Sequence, residues 1–241
     1  SSEAGRAGHA LQMDITLFHE PTLLETGGGL KNIEPWIAGD SILVYNGDIL
    51  AGLDLHKLLA AHQASDNVVT LGLRSQGPAL HVAFDGHRVS DIHHKLGVAE
   101  GSHQFTGIYC IEPELLEHIP ARRKISVIPA LLELAREGRL GGCLLDQGYW
   151  LDLGTREAYL AAHRPESPLA PDHLINPEAS IGPDAKVIDS VVGPGCAIGA
   201  GAVVRDCVLW PNTSVASGAR LTNCILYSST PATGTHQDAD L

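Results

Sequence analysis

Ile42-Leu43-Val44-Tyr45-Asn46-Gly47-Asp48 is a run of β-prone apolar residues that ends in a polar turn. Such a run predicts a buried strand that delivers the carboxylate of Asp48 to the edge of a sheet. Ligands of open α/β sheets bind where strands end at their carboxyl side. Carboxylates placed there suit Mg²⁺, which takes one or two of them together with phosphate oxygens. The simpler alternative is a plain strand-to-turn corner, in which Asn-Gly and Gly-Asp are common.

Composition limits the classes of function open to the chain. Its 241 residues allow one domain or two, and a hydrophobic content of 44% supplies a large core. A formal charge of −12, with no basic run, argues against nucleic-acid binding. No apolar stretch approaches the roughly 18 residues of a membrane span. The five cysteines form no Cys-x-x-Cys pair, which is typical of free, buried thiols in a cytoplasmic protein.

Strand and helix signals alternate on both sides of the opening run, which indicates an α/β fold. Strands are predicted at residues 13–18, 67–73 and 105–111, and helices at 55–62, 113–119 and 126–137. Asp85-Gly86 separates two alternating runs, 80–84 and 88–92, and therefore predicts a hairpin. The expected sheet is mixed, with parallel strands inside and an antiparallel pair at one side.

A glycine-rich stretch, Leu23 to Lys31, precedes the opening run and contains Gly27-Gly28-Gly29. Three glycines leave the backbone without side chains, so a ligand can approach it closely. We expect a turn here that leads into a helix over residues 30–37. Such a turn exposes backbone N–H groups that favour anions or polar base edges. The alternative is a flexible loop.

A second strand that ends near an aspartate, Asp152, is predicted in the stretch Gly148–Thr155. Thr155 is the expected N-cap of a helix over residues 156–163. Asp152 is then either a capping group or, together with Asp48, half of a two-carboxylate metal site.

Beyond residue 163 the pattern changes. Three prolines within residues 164–171 predict a stiff linker and a domain boundary. After the linker, apolar residues recur at intervals of six, six and five, so the repeat is seventeen residues long. The repeating positions are Ile175, Ile181, Val187, Val192, Ile198, Val204, Leu209, Val215, Leu221 and Leu226. This periodicity predicts a hexapeptide β-helix with one triangular coil per block.

About three coils make a short stack, for which we expect a cap or a partner subunit. Residues 229–241 are predicted to be disordered. Acyltransferases built on such coils resemble one another in using a coil histidine as base. Residues 174–226 contain no histidine, which argues against acyl transfer and favours an assembly or regulatory role for the coils.

Four motifs, taken in chain order, resemble those of the sugar-phosphate nucleotidyltransferases, especially the mannose-1-phosphate guanylyltransferase-like branch. They are Leu24–Gly29, Asn46–Asp48, Phe105–Tyr109 and Trp150–Thr155, and the hexapeptide repeat follows them. The resemblance implies a Rossmann-like α/β nucleotidyltransferase domain with a mixed sheet over residues 1–163. The linker would then occupy 164–174, and a short left-handed β-helix would occupy 175–228.

The resemblance also implies roles for single residues. Asp48 and Asp152 are the expected Mg²⁺ ligands and catalytic carboxylates. Lys95 is the expected contact to the sugar phosphate, although its segment lacks the commoner Glu-Lys-Pro motif. Nucleotide contacts are expected from Glu25, Thr26, Gly27, Gly28, Asn46 and Gly47, and sugar contacts from Thr106, Gly107 and Glu112.

One departure from the family pattern concerns the phosphate-binding loop. The family opens with a Gly-x-Gly-Thr-Arg loop and a Lys-Pro pair, and this sequence contains neither. The chain thus starts where the family's third strand would be and lacks the first βαβ unit. We expect a fragment of a longer enzyme rather than a natural truncated relative, since the shortened sheet would expose unpaired edges.

The reaction implied by the resemblance joins a nucleoside triphosphate to a sugar 1-phosphate and releases pyrophosphate. GTP with mannose 1-phosphate is the expected pair. One alternative is uridylyl transfer to a glucose-, N-acetylglucosamine- or muramate-type 1-phosphate. A second alternative is a non-catalytic subunit that binds nucleotide-sugars. Further copies of the chain, joined through the β-helix, are the expected protein partners.

Overall fold

The computed structural model describes residues 13–164, 167 and 174–241, and the chain divides into two compact units. The first unit comprises the residues up to Asn46 together with Leu53–Gly148. The second comprises Gly47–Gly52 and Tyr149–Leu241. The predicted boundary at residue 163 therefore differs from the observed division. Most of the predicted linker lies outside the described residues.

The strands before the repeat region are three to eight residues long. They are β1 (Ile42–Tyr45), β2 (Ile49–Ala51), β3 (Val69–Arg74), β4 (Val82–Phe84), β5 (Val89–Ile92), β6 (Gln104–Ile111), β7 (Leu140–Leu144) and β8 (Trp150–Asp152). Four of them form the main sheet of the first unit in the order β1-β6-β3-β7. β6 is antiparallel to both neighbours, whereas β3 and β7 are parallel. A mixed sheet is confirmed, but the expected parallel interior is wrong because β6 lies between β1 and β3.

The core of the first unit is built on β3, of which five of six residues are buried. Its near-continuous apolar sequence is typical of a strand that is covered by other elements. Helices of this unit are α1 (Glu25–Asn32), α2 (Glu34–Ile37), α3 (Leu55–Gln63) and α4 (Ile128–Arg136), with a 3₁₀ helix at Pro113–His118. α3 packs on β3, β6 and β7, and its N-cap Asp54 accepts a hydrogen bond from the Lys57 N–H. α4 packs on β5 and β7.

The hairpin predicted around Asp85-Gly86 is confirmed as the antiparallel pair of β4 and β5. Gly86 has a φ of +104°, which a glycine adopts at low cost, and the Asp85 carboxylate accepts the N–H groups of His87 and Arg88. The strand predicted at residues 13–18 is wrong, because these residues form no strand and their side chains are exposed.

The glycine-rich stretch also differs from the prediction, since Gly27, Gly28 and Gly29 lie inside α1 rather than in a turn before a helix. Gly27 and Gly28 are buried. An added Cβ would lie 2.9 Å from the Ile125 carbonyl oxygen at Gly27 and 2.3 Å from the Arg123 carbonyl oxygen at Gly28. The glycines therefore let the helix approach the backbone of residues 123–126.

The second unit begins with an antiparallel ribbon of β2 and β8, in which Ile49 pairs with Asp152. Helix α5 (Arg156–Ala162) follows, and the predicted N-cap is confirmed because the Thr155 hydroxyl accepts the Ala158 N–H.

The repeat region forms a β-solenoid, as predicted. Its strands are β9 (Ser180–Ile181), β10 (Lys186–Ile188), β11 (Val191–Val192), β12 (Ala197–Ile198), β13 (Val203–Arg205), β14 (Val208–Leu209), β15 (Ser214–Val215), β16 (Arg220–Thr222), β17 (Ile225–Leu226) and β18 (Thr235–Gln237). They make three parallel sheets, and Ile181, Ile198 and Val215 pair in one of them. The seventeen-residue step in sequence is therefore the step from one coil to the next.

The predicted disorder of residues 229–241 is wrong, because these residues form a further partial coil. β18 pairs with β16 in parallel, Ala232 bridges to Val215, and Asp240 bridges to Ile225. This coil carries His236, whose Nε2 lies 2.7 Å from the Thr233 carbonyl oxygen, so the solenoid as a whole is not free of histidine.

All five cysteines are buried and unpaired. Among the described residues, no helix is long and apolar enough to cross a membrane.

Candidate functional site

Asp48 and Asp152 are brought together by the ribbon of the second unit. Asp48 occupies the turn that leads into β2, and Asp152 is the last residue of β8. The Leu153 N–H donates to the Asp48 carbonyl oxygen at 2.7 Å, and the Gly154 N–H donates to Asp152 Oδ1 at 2.9 Å. Both side chains are exposed. Asp152 thus fixes the backbone after β8, and its role as a metal ligand together with Asp48 remains a prediction.

Gly154 shows how closely the two carboxylates converge. A Cβ built on Gly154 would lie 3.1 Å from Asp152 Oδ1 and 3.1 Å from Asp48 Oδ2. The two oxygens are therefore separated by no more than twice that distance, with a residue that has no side chain beside them. Sequence analysis assigned Gly154 no role, and the only signal was a glycine two residues after an aspartate.

This arrangement fits a hard divalent cation. Two exposed carboxylates leave most of the coordination sphere for water and phosphate oxygens, which is the usual mode for Mg²⁺. In the part of the chain that the structure describes, no group of three or more His, Cys, Asp or Glu side chains is placed to hold a metal. Asp48 and Asp152 could hold such an ion only together with further ligands from water or a substrate.

The predicted nucleotide-binding residues Glu25, Thr26, Gly27 and Gly28 form the first turn of α1. The N–H groups of Gly27 and Gly28 both donate to the Ile125 carbonyl oxygen, at 2.9 and 3.0 Å. Thr26 Oγ1 accepts the Val127 N–H at 3.0 Å. The expectation of free N–H donors at this turn is therefore wrong, because the backbone of the same unit already accepts their hydrogen bonds. Contact of these residues with a nucleotide remains a prediction.

The predicted sugar-binding residues Thr106 and Gly107 lie at a bulge in β6. Leu71 pairs with Tyr109 and Leu73 with Phe105, so three residues of β6 face the single residue Gly72. Gly107 has a φ of +74°, and its carbonyl oxygen accepts the Asn46 N–H at 3.0 Å. Thr106 is fully buried, and its hydroxyl donates to the Gly72 carbonyl oxygen at 2.8 Å. Bulges of this kind redirect side chains and are common next to active sites.

The neighbouring turn residues divide between the two units. Asn46 belongs to the first unit, in which its N–H donates a hydrogen bond to Gly107. Gly47 is exposed and belongs, with Asp48, to the second unit.

Glu112 does not join Thr106 and Gly107. It follows the far end of β6, and six residues of extended chain, roughly 20 Å, separate it from Thr106. Its two carboxylate oxygens accept the Ser41 hydroxyl at 2.8 Å. Glu112 Oε1 also lies 3.1 Å from Nε2 of the buried His62, but this contact is not a hydrogen bond. Glu112 therefore lies apart from Thr106 and Gly107 in the structure, and its contact with the sugar remains a prediction.

Lys95 lies exposed on the loop after β5, and this loop is shaped by a residue that sequence analysis missed. Asp91 is fully buried and accepts the backbone N–H groups of Ile92, Leu96 and Val98. Burial alone would raise the pKa of Asp91, but the hydrogen bonds from Leu96, Val98 and Ile92 outweigh it and lower that pKa. The available signal was a charged residue at a core position of a predicted strand.

Two known families match successive parts of the chain. Residues 2–167 match the family described as Nucleotidyl transferase, and residues 164–233 match the family described as GlmU-like, C-terminal hexapeptide.

Two curated relatives match the first part of the chain. A mannose-1-phosphate guanylyltransferase of Mycobacterium tuberculosis is 32% identical over 167 residues, which are 64% of this chain and 44% of that protein. An N-acetylmuramate alpha-1-phosphate uridylyltransferase of Neisseria meningitidis is 28% identical over 151 residues, which are 61% of this chain and 65% of that protein. The chain therefore spans less than two thirds of the length of each.

A solved structure supports the fold. A Bacillus anthracis chain described as a candidate glucose-1-phosphate thymidylyltransferase superposes with a TM-score of 0.56 at 18% identity. The match covers 64% of this chain and 66% of that one.

Proposed function

Because the chain belongs to the nucleotidyl transferase family, we propose that the intact protein transfers a nucleotidyl group to a sugar 1-phosphate. In this reaction a phosphate oxygen of the sugar 1-phosphate attacks the α-phosphorus of a nucleoside triphosphate. The bond between that phosphorus and the bridging oxygen breaks, pyrophosphate leaves, and a nucleotide-sugar forms. No covalent bond to the protein is needed, so the chain contributes alignment and compensation of charge.

The observation that carries this proposal is the convergence of Asp48 and Asp152 beside Gly154. We propose that these two carboxylates hold Mg²⁺, which when bound neutralises phosphate charge. The chain's own part is to keep the two carboxylates in place. The Gly154 N–H holds Asp152, and the Leu153 N–H fixes the backbone at Asp48. Thr106 and Gly107, at the β6 bulge, are proposed to contact the sugar, and Lys95 its phosphate.

GTP and mannose 1-phosphate are the proposed substrates. This choice of substrates is supported by the Mycobacterium tuberculosis relative, which is 32% identical to this chain, whereas the uridylyltransferase is 28% identical. Uridylyl transfer to a muramate-type 1-phosphate is the second candidate, and the Neisseria meningitidis relative favours it. The two candidates differ in both base and sugar, so one assay separates them.

The test is pyrophosphate release with Mg²⁺ over a grid of nucleoside triphosphates and sugar 1-phosphates. It is run on this chain and on the chain together with its upstream coding sequence. We expect release to be greatest with GTP and mannose 1-phosphate. Greatest release with UTP and N-acetylmuramate 1-phosphate would replace the first candidate by the second. Nucleotide-sugar binding without release in either form would instead identify a non-catalytic binding subunit.

The metal ligands are tested by Asp48→Asn and Asp152→Asn in the active form. Each variant should lower kcat by about 10²-fold or more and should raise the Mg²⁺ concentration needed for half-maximal rate. Asp40→Asn, which removes an exposed carboxylate outside the site, is the matched control and should leave both values unchanged. A near-normal rate in Asp48→Asn would remove it from the metal site. If Asp152→Asn lowers only the melting temperature, Asp152 stabilises the backbone after β8 through its hydrogen bond with Gly154 and is not a metal ligand.

A further inference from the structure

A pocket of about 360 Å³ lies in the second unit, next to the carboxylate pair. Its volume falls in the range of small-molecule sites. Gly154, which lies beside both carboxylates, forms part of the wall. The residues that give the pocket its chemistry are Arg156, Tyr159, Trp210, Tyr227 and Asp240. None of them takes part in the proposed reaction.

The seventeen-residue repeat places the two large aromatic side chains of this pocket one above the other. Trp210 and Tyr227 are one repeat apart, in successive coils. Trp210 directly follows β14, and Tyr227 directly follows β17. Solenoid side chains at such a corner point outward, and these two are 46% and 57% exposed. Their ring centroids are 6.0 Å apart and their planes are inclined by 56°. The rings therefore form an angled platform and not a parallel slot.

The polar groups of the pocket are fixed in place. Arg156 Nε donates to Asp240 Oδ1 at 2.6 Å, and Arg156 Nη1 donates to the Asp238 carbonyl oxygen at 2.7 Å. Trp210 Nε1 donates to the Tyr159 hydroxyl at 3.0 Å, so Tyr159 keeps its own O–H for another acceptor. Of the described residues that line this pocket, Arg156 and Asp240 carry the charge, and they neutralise each other.

We propose that this pocket binds the neutral pyranose ring of a hexose, either as a free sugar or as the sugar of a nucleotide-sugar. A pyranose has an apolar C–H face and a rim of hydroxyls, which suits an aromatic platform bordered by a paired carboxylate and guanidinium. A flat base would stack best in a parallel slot, and a phosphate would need an unpaired cation. Neither feature is provided by the residues that line the pocket.

The test is a binding titration, by ligand-observed saturation-transfer NMR, on this chain and three variants. Ligands are free hexoses, nucleoside diphosphate hexoses, and the same nucleoside diphosphates without sugar. Tyr227→Ala removes half of the platform at an exposed position and should weaken binding about tenfold, whereas Tyr227→Phe keeps the ring and should bind normally. Trp36→Ala is the matched control, since Trp36 is equally exposed but does not line the pocket.

Only binding that Tyr227→Ala weakens is assigned to the pocket. If Tyr227→Ala weakens the binding of both free hexoses and nucleotide-hexoses, the pocket recognises any hexose ring. If it weakens the binding of nucleotide-hexoses alone, the pocket takes its hexose from a nucleotide-sugar. The proposal is overturned if no sugar binds up to roughly 10 mM. It is also overturned if Tyr227→Ala binds normally, or if nucleoside diphosphates without sugar show the same loss. The titration measures binding and not turnover, so its outcome is independent of the test of the proposed nucleotidyl transfer.

Discussion

Gly28→Ala is a direct test of why α1 contains three consecutive glycines. The new Cβ would lie 2.3 Å from the Arg123 carbonyl oxygen, which is roughly 1 Å short of ordinary contact. The obstacle is backbone, so no side-chain rotation relieves it. α1 would have to move away from residues 123–126 and would stretch the two hydrogen bonds from Gly27 and Gly28 to the Ile125 carbonyl oxygen.

Two effects of this substitution oppose each other. Alanine in a helix interior is favoured over glycine by about 1 kcal/mol. Loss of two backbone hydrogen bonds costs about 1–3 kcal/mol, and overpacking of a buried position costs about 1–3 kcal/mol. The cost of the close contact therefore exceeds the gain in helix propensity. We expect Gly28→Ala to lower the free energy of unfolding by about 2 kcal/mol or more.

Urea denaturation followed by circular dichroism measures this difference, and Gly29→Ala is the matched control. At Gly29 the new Cβ would meet only the flexible Glu20 carboxylate, at 3.1 Å. Gly29→Ala should therefore leave stability unchanged or raise it by up to about 1 kcal/mol. Equal stability of the two variants would refute the claim that close backbone approach requires glycine at position 28.

Three further predictions concern other parts of the chain. Gly154→Ala should lower turnover about tenfold while the fold is kept, because its Cβ would crowd both carboxylate oxygens; pyrophosphate release and a melting curve measure the two effects. Asn223→Asp should destabilise the solenoid by about 1 kcal/mol, and less in 1 M salt, because Asn223 donates to Asp238 Oδ1 at 2.7 Å. His81→Phe should flatten the loss of stability on acidification, measured by urea denaturation at pH 7.5 and 5.5.

The sign of the His81 effect follows from its environment. Burial lowers the pKa of His81, and the nearby ring of His93 acts in the same direction, against the hydrogen bond to the Ala79 carbonyl. The folded state therefore prefers neutral His81, while the unfolded chain takes up a proton near its ordinary pKa of about 6.5. Stability is lost as the pH falls through that value. A wild-type curve that is level between pH 7.5 and 5.5 would contradict this reasoning.

The solenoid was predictable because its signal is repeated. Residues such as Val187, Val204 and Leu221 stand seventeen apart and pair in the structure, so each coil confirms the register of the next. The last coil escaped prediction because the step changes: Leu221 pairs with His236, fifteen residues on, and a histidine stands where an apolar residue was expected. A search for a seventeen-residue step cannot detect a coil that follows after fifteen residues.

The glycine-rich helix and the order of the main sheet were not predictable for a different reason. Glycine has a low helix propensity, so Gly27-Gly28-Gly29 favours a turn until tertiary contact with residues 123–126 is known. Runs of β-prone residues identified β1, β3 and β6 as strands, but such runs do not indicate which strands are neighbours. The placement of the antiparallel β6 between β1 and β3 depends on contacts that are distant in sequence.

The candidate site was predictable in part. Asp48 and Asp152 each follow or end a strand, and the motif order brought them into one hypothesis, which the ribbon geometry supports. The residues that fix the surroundings, Gly154 and Asp91, carry no sequence motif of their own. Their roles depend on which oxygen or N–H group lies beside them, and single-sequence patterns contain no such information.

The ribbon of β2 and β8 has a consequence for gene recombination. Its two strands lie close in space, but about a hundred codons separate residues 47–52 from residues 149–152. A single crossover anywhere between them would give a chimera whose two aspartates come from different parents. Exchange of the solenoid at the proline-rich segment leaves this pair of strands intact, whereas exchange further upstream must preserve a matched pair. Engineered hybrids joined after α5 must still keep the contacts of α5 with the coils, such as the one between Arg156 and Asp240.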